Sequence, residues 1–436
     1  MSHPHLKARW GIFAALLLMT GVFTPSTLSA QPANSVVGAN ILAESTPRGY
    51  FATAVVIEFD KGVDLRDVAV PTTGITVSAT RTPTCAGASV PDTGPRTVVG
   101  VYSNNDPRRA TAAVKGNYLI IELSDTDANR QAARNGCPAN LDYSVTWGEL
   151  YNRKGGVEVQ ASAASTSQVD SPIIEDFRSG SYTSTAFATT LKFRLFMPER
   201  YVRAPNNTAR KYPLVLFLHG GGERGDNNFN QIAANMGATT WAQPDFQAEH
   251  PAFVLAPQVP LPSTNSWATP NIRDTVRELV LGLMAQYPVD PDRVYVQGLS
   301  LGSFGTAAQL NAYPEMYAAA LLISGARAVN PGPPMQVPVW MATAFDDDLY
   351  PEVVQVYNAY VANGLSTVQA AWPGNLFAGA VPFAEALIEF AEAQGSHVLF
   401  TTYQTGTNVG AAHNTGWIAT YSNPAIREWL FSHKRP

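Results

Sequence analysis

A chain of 436 residues, 45% hydrophobic and 14% charged, has the length and composition of two or three soluble domains. Its net charge of −5 argues against non-specific nucleic-acid binding and leaves the substrate open. The two cysteines, Cys85 and Cys137, have no histidines at metal-ligand spacing beside them, so no metal site is expected.

Residues 1–30 read as a signal peptide. Lys7 and Arg9 precede an apolar run over 10–23, too short to span a membrane, and cleavage is expected after Ala30. The expected location is therefore secreted or periplasmic. In such a compartment an even pair of cysteines is expected to form a disulfide, Cys85 with Cys137.

Residues 36–165 read as an all-β domain. Short β-branched and aromatic runs at 51–59, 74–80, 97–102, 118–123, 143–147 and 157–160 alternate with Pro, Gly, Asn and Asp clusters. The spacing is that of a small sandwich, immunoglobulin-like in the loose sense, since Trp147 follows both cysteines. No chemistry is expected from it. If the chain assembles, this is the domain expected to do so. Residues 166–182 follow a small polar stretch and read as a linker.

From 183 to 436 the pattern alternates strand and helix. Continuous apolar runs at 214–218, 252–256, 293–297, 319–323, 337–342 and 398–403 suit parallel strands buried on both faces. Helical spacing over 272–287 puts Val276, Leu279, Val280 and Leu283 on one face, and helices are expected at 352–363 and 383–393. The fold class is α/β: a doubly wound, mostly parallel sheet.

Four features at strand ends carry chemistry. His219-Gly220-Gly221-Gly222 follows the first buried strand, and glycines there let backbone N–H groups face a developing oxyanion. Gly298-Leu299-Ser300-Leu301-Gly302 sits at a strand-turn-helix, the setting in which a serine stands clear as a nucleophile. The oxyanion donors are assigned to the N–H groups of Gly221 and Leu301. Asp346-Asp347-Asp348 follows a later strand and offers an acid on the same sheet edge, without distinguishing among the three. His413 is the histidine that stands after the acid and beyond a strand's C-terminal end, as the order serine, acid, histidine requires.

Over residues 185–436 these features resemble the α/β-hydrolase superfamily. Within it they are similar to secreted esterases related to polyhydroxybutyrate depolymerases and to "predicted peptidase" esterases with an N-terminal immunoglobulin-like domain. The resemblance rests on 212–227 (Tyr212-Pro213 through His219-Gly220-Gly221-Gly222-Glu223-Arg224-Gly225-Asp226-Asn227), on Ala256-Pro257-Gln258 with Trp267, on 298–302, and on His413-Asn414 with Trp417. It implies that the acid stands four residues before a proline, which selects Asp347 ahead of Pro351. It also suggests His219, Trp267 and Trp417 as substrate-binding candidates. The implied function is a secreted serine carboxylesterase that works through Ser300, His413 and Asp347 and an acyl-enzyme. Its substrate would be a small or polymeric ester, and it needs no metal or organic cofactor. A peptidase or amidase, a polyester depolymerase, or a catalytically dead binding protein are the alternatives.

Overall fold

The computed structural model describes residues 34–435 apart from 85–90, 135–136, 207–208, 263, 373–379 and 409–410. The expected signal peptide and Cys85 lie outside the described residues. Among the described residues no helix is long and apolar enough to cross a membrane.

Alternating patterns in the first part of the chain build two five-stranded sheets. One runs in the order Val169–Asp170, Val36–Thr46, Gly49–Val63, Gly116–Leu123, Val98–Asn104. The other joins Ser162–Ser165, Cys137–Trp147, Ile75–Pro83 and Asp92–Arg96, with Ala133–Arg134 also paired to Cys137–Trp147. In Cys137–Trp147, Leu141, Tyr143, Val145 and Trp147 point into the core while the residues between them face solvent. Trp147 meets Phe59 edge-on from the facing sheet, with centroids 6.4 Å apart.

The expected linker is folded. Val169–Asp170 pairs in parallel with Ile41 and Leu42 of the first strand. Pro172–Glu175 is a helical turn, and Arg178–Ser184 is already a strand of the next sheet. An edge strand needs partners for its N–H and C=O groups rather than apolar side chains, so small polar residues did not mark it as extended.

The second domain is a nine-stranded sheet. Its strands, numbered here from the start of this domain, are β1 (Arg178–Ser184), β2 (Thr189–Phe196), β3 (Tyr212–Leu218), β4 (Phe253–Gln258), β5 (Val289–Leu299), β6 (Ala319–Ile323), β7 (Val339–Ala344), β8 (Thr367–Trp372) and β9 (Val398–Tyr403). Their order is β1-β2-β4-β3-β5-β6-β7-β9-β8. The β1–β2 and β2–β4 pairs are antiparallel and the rest parallel. The apolar runs read from the sequence are the central strands, buried on both faces. Three strands have no such run, β1, β2 and β8, and β1 and β8 are the edges. Helices α1 (Pro270–Gln286), α2 (Leu301–Ala312), α3 (Tyr350–Ala362), α4 (Ala380–Ala393), α5 (Ala412–Ser422) and α6 (Pro424–Ser432) are the principal helices of this domain.

The two domains share one apolar core. Ile41, Phe59 and Trp147 of the first belong to the same buried cluster as Val215, Phe217 and Tyr295 of the second. Tyr50 meets Phe229 edge-on at 5.4 Å, and the Ser45 hydroxyl donates to the Asn235 carbonyl at 2.6 Å. A chain beginning at Pro172 would uncover the buried Ile174, worth up to about 1.5–3 kcal/mol, and the half-buried Phe229, worth less. Its melting temperature should fall by roughly 10 °C or more in a calorimetric scan. An unchanged Tm would mean that the two domains are energetically independent.

Candidate active site

The chain leaves β5 and enters α2 through Ser300, whose backbone lies at φ 53°, ψ −119°. A serine in that region is strained and must be held there by its surroundings. Its N–H donates to the Ile323 carbonyl at 2.8 Å. The flanking glycines are required by space. A Cβ on Gly298 would lie 2.3 Å from the Gly302 carbonyl oxygen, and one on Gly302 would lie 1.8 Å from that of Leu218. The turn can close against β3 only with hydrogen at both positions.

Around Ser300 the structure brings three side chains into line. The Ser300 hydroxyl donates to His413 Nε2 at 3.0 Å, and His413 Nδ1–H donates to Asp347 Oδ1 at 2.8 Å. His413 opens α5, while Asp347 follows β7. Asp347 is 4% exposed. Its Oδ1 also accepts from the Leu349 N–H at 3.0 Å, and its Oδ2 from the Thr343 hydroxyl at 3.0 Å. Burial pushes its pKa up, but the hydrogen bonds from His413, Leu349 and Thr343 outweigh it and hold the carboxyl below its usual value. The neighbouring acids point elsewhere. Asp346 accepts from the Gly406 N–H at 2.8 Å, and Asp348 is exposed. Trp417 stands edge-on to the His413 ring, 5.2 Å away, and remains partly exposed.

The glycine loop after β3 lies beside this group. A Cβ on Gly220 would come within 3.6 Å of Ser300 Cβ. Leu301 is the first residue of α2, and N–H groups in a first helical turn have no intrahelical acceptor. Gly221 begins the turn of this loop and Leu301 begins α2, the two positions whose N–H groups the sequence offers as oxyanion donors.

His219 and Trp267, expected as substrate contacts, are placed behind that loop instead. His219 is fully buried with both ring nitrogens used: Nδ1–H donates to the Gly220 carbonyl at 2.6 Å and Nε2 accepts from the Val259 N–H at 3.0 Å. Burial lowers its pKa to about 4, which keeps it neutral. Trp267 is 1% exposed, and its indole N–H donates to the His219 carbonyl at 2.9 Å. Neither ring reaches solvent, so neither can touch a substrate. What His219 does is orient. The Gly220 carbonyl and the Gly221 N–H belong to one trans peptide and point in opposite directions. Holding that carbonyl fixes the plane of the Gly220–Gly221 peptide and with it the direction of the N–H.

Several residues of this site were not singled out from sequence. Arg224 donates to the Gly221 carbonyl at 3.1 Å and to that of Asn265 at 2.8 Å. The Glu223 carboxyl accepts from Asn235 at 3.1 Å, and burial raises its pKa. The Ser303 hydroxyl donates to the Gly325 carbonyl. Arg224 and Glu223 stand inside the glycine-loop motif, which was the available signal. Thr343 and Ser303 carried none.

His219→Ala should lower kcat about 100-fold, the usual cost of an oxyanion donor that is no longer aimed, with KM nearly unchanged. Steady-state kinetics on a small activated ester checks this. A larger effect on KM than on kcat would assign His219 to substrate binding after all.

A doubly wound sheet with a serine on a strained strand-to-helix turn, hydrogen-bonded through histidine to a buried carboxylate, defines the α/β-hydrolase fold, here preceded by an immunoglobulin-like domain. Residues 38–170 match the family model described as the esterase Ig-like N-terminal domain. The chain is similar to a thermostable esterase of known structure, with 28% identity and a TM-score of 0.67 over 92% of this chain and 100% of that one. It is also 28% identical over 138 residues to poly(3-hydroxyalkanoate) depolymerase C of Paucimonas lemoignei, which takes in 29% of this chain and 31% of the depolymerase. The chain thus matches under a third of that curated relative's length.

Proposed function

We propose that this protein is an exported serine esterase with Ser300 as nucleophile, His413 as general base and then acid, and Asp347 as the orienting carboxylate. The observation that carries the reading is the unbroken relay of 3.0 and 2.8 Å from a strained serine to a buried acid. His413 takes the Ser300 proton as Oγ attacks the ester carbonyl carbon. The tetrahedral oxyanion is met by the Gly221 and Leu301 N–H groups, each worth about 3 kcal/mol. Collapse expels the alkoxide, which takes the proton from His413 and leaves an acyl-Ser300. Water, deprotonated by His413, then releases the acid. Asp347 keeps Nδ1 protonated throughout and stays ionised.

The test is twofold. The protein should hydrolyse p-nitrophenyl acetate, and a fluorophosphonate probe should label the peptide that contains Ser300. Label on another residue, or hydrolysis with no label, sinks the assignment.

In the same reading, residues 34–170 are the immunoglobulin-like domain and 171–436 the hydrolase, with the first residues removed on export. A disulfide between Cys85 and Cys137 is part of the proposal. The described pairing supports it: Pro83 stands against Ala139, and the Thr84 N–H donates to the Pro138 carbonyl at 3.0 Å, these last two being the chain neighbours of the cysteines. Thiol titration of the unfolded, unreduced protein should find no free thiol, and two would exclude the bridge. Reduction should cost about 4 kcal/mol on the chain-entropy account.

A further inference from the structure

Between the two domains lies a cleft of about 710 Å³, two of whose lining residues, Asn414 and Trp417, are neighbours of His413. From the hydrolase domain it is lined by Asn414 and Trp417, by Glu223 of the glycine loop and by Phe229. From the immunoglobulin-like domain it is lined by Arg48 and Gln131. Gly49, at φ 139°, makes the tight turn that carries Arg48 to its rim. We propose that this cleft is the alcohol subsite of the esterase and that it takes a hydroxyl-rich alcohol, a sugar ring. The proposal rests on the serine-esterase reading above.

Two considerations lead there. The first is mechanistic. His413 must hand its proton to the departing alkoxide, so the alcohol part of the ester lies on the side of the relay where His413 stands. Asn414 follows His413 in the chain, and Trp417 packs edge-on against its ring. Two walls of the cleft are therefore neighbours of the group that protonates the leaving alkoxide.

The second is chemical. Among the described lining residues there is no Val, Leu, Ile or Met, so an alkyl chain would find little to bury against. The half-buried Gln131 and Asn414 side chains have no intramolecular hydrogen-bond partner among the described residues. Each amide carries two donors and an acceptor, which match the hydroxyl groups of a ring, and the Arg48 guanidinium, 3.7 Å from the Asp125 carboxylate, stands at the rim. Trp417 and Phe229 add aromatic surface for the C–H face of such a ring. A volume of 710 Å³ is within the range of small-molecule sites and ample for a monosaccharide.

The test compares two acetate esters on the full-length protein: methyl 6-O-acetyl-α-glucopyranoside and hexyl acetate. The wild type should favour the sugar ester by about tenfold or more in kcat/KM. Gln131→Leu and Arg48→Leu, both outside the hydrolase domain, should each shrink the sugar-to-hexyl ratio by about tenfold, the equivalent of one hydrogen bond. A wild type that prefers hexyl acetate, or a ratio unmoved in both variants, overturns the subsite. A protein that turns over phenyl acetate yet shows either of those results loses the subsite and keeps the esterase reading. One that hydrolyses no ester and takes no phosphonate label loses both.

Discussion

Ser300→Ala should lower kcat by about 10⁶ while the protein folds as before, since removing the nucleophile of such a relay costs about as much as removing all three members. The side-chain hydroxyl of Ser300 bonds to His413, so its loss strands no buried group. Both residues carry a Cβ, so the strained φ of 53° is no worse for alanine. A stability change below about 1 kcal/mol is expected by chemical denaturation. Neighbouring hydroxyls cannot take over. Ser303 is committed to the Gly325 carbonyl, and Ser324 is fully buried. Turnover within about tenfold of wild type would remove Ser300 from the chemistry.

Asp347→Asn should lower kcat by about 10⁴. The carboxylate accepts Nδ1–H and so leaves Nε2 free to receive the serine proton. An asparagine can turn its NH₂ toward the ring, and the imidazole then keeps its proton on the wrong nitrogen. The Leu349 N–H and the Thr343 hydroxyl both donate to this side chain, so turning the amide also disturbs one of them, at about 1–2 kcal/mol of stability. Asp346→Asn should cost less than about threefold, because asparagine keeps an oxygen for the Gly406 N–H. Asp348→Asn, on the surface, should behave like wild type. Measured side by side, a dead Asp346 or Asp348 variant beside an active Asp347→Asn would reverse the assignment.

The same carboxylate has a pH signature. Its folded pKa is held below the usual 3.8, so unfolding binds a proton that the native state refuses. Its contribution to stability is complete above the unfolded pKa and is lost as pH falls through the folded one. Asp347 is therefore ionised at neutral pH.

Much of this molecule was legible in its sequence because burial and sharp turns leave local marks. A parallel strand covered on both faces must be a continuous apolar run, which is how 214–218, 293–297 and 319–323 read. Glycines two before and two after Ser300 are demanded by backbone contacts of 2.3 and 1.8 Å, so the turn announces itself. The order Ser300, Asp347, His413 follows from which strand ends share one edge of the sheet. Other features depended on the tertiary structure because they involve contacts between distant parts of the chain or the direction of a side chain. Physics at the sequence level could not choose among Asp346, Asp347 and Asp348, whereas the folded loop turns only the middle carboxylate inward. His219 and Trp267 have the residue types of substrate contacts, yet Val259 and Gly220 use both nitrogens of His219, and Trp267 is sealed against its carbonyl. The polar stretch after residue 165 became strand and helix because Val36–Thr46 offered an edge for backbone pairing. The cleft beside His413 is walled by Arg48 and Gln131, hundreds of residues away along the chain and adjacent only once the two domains share a core.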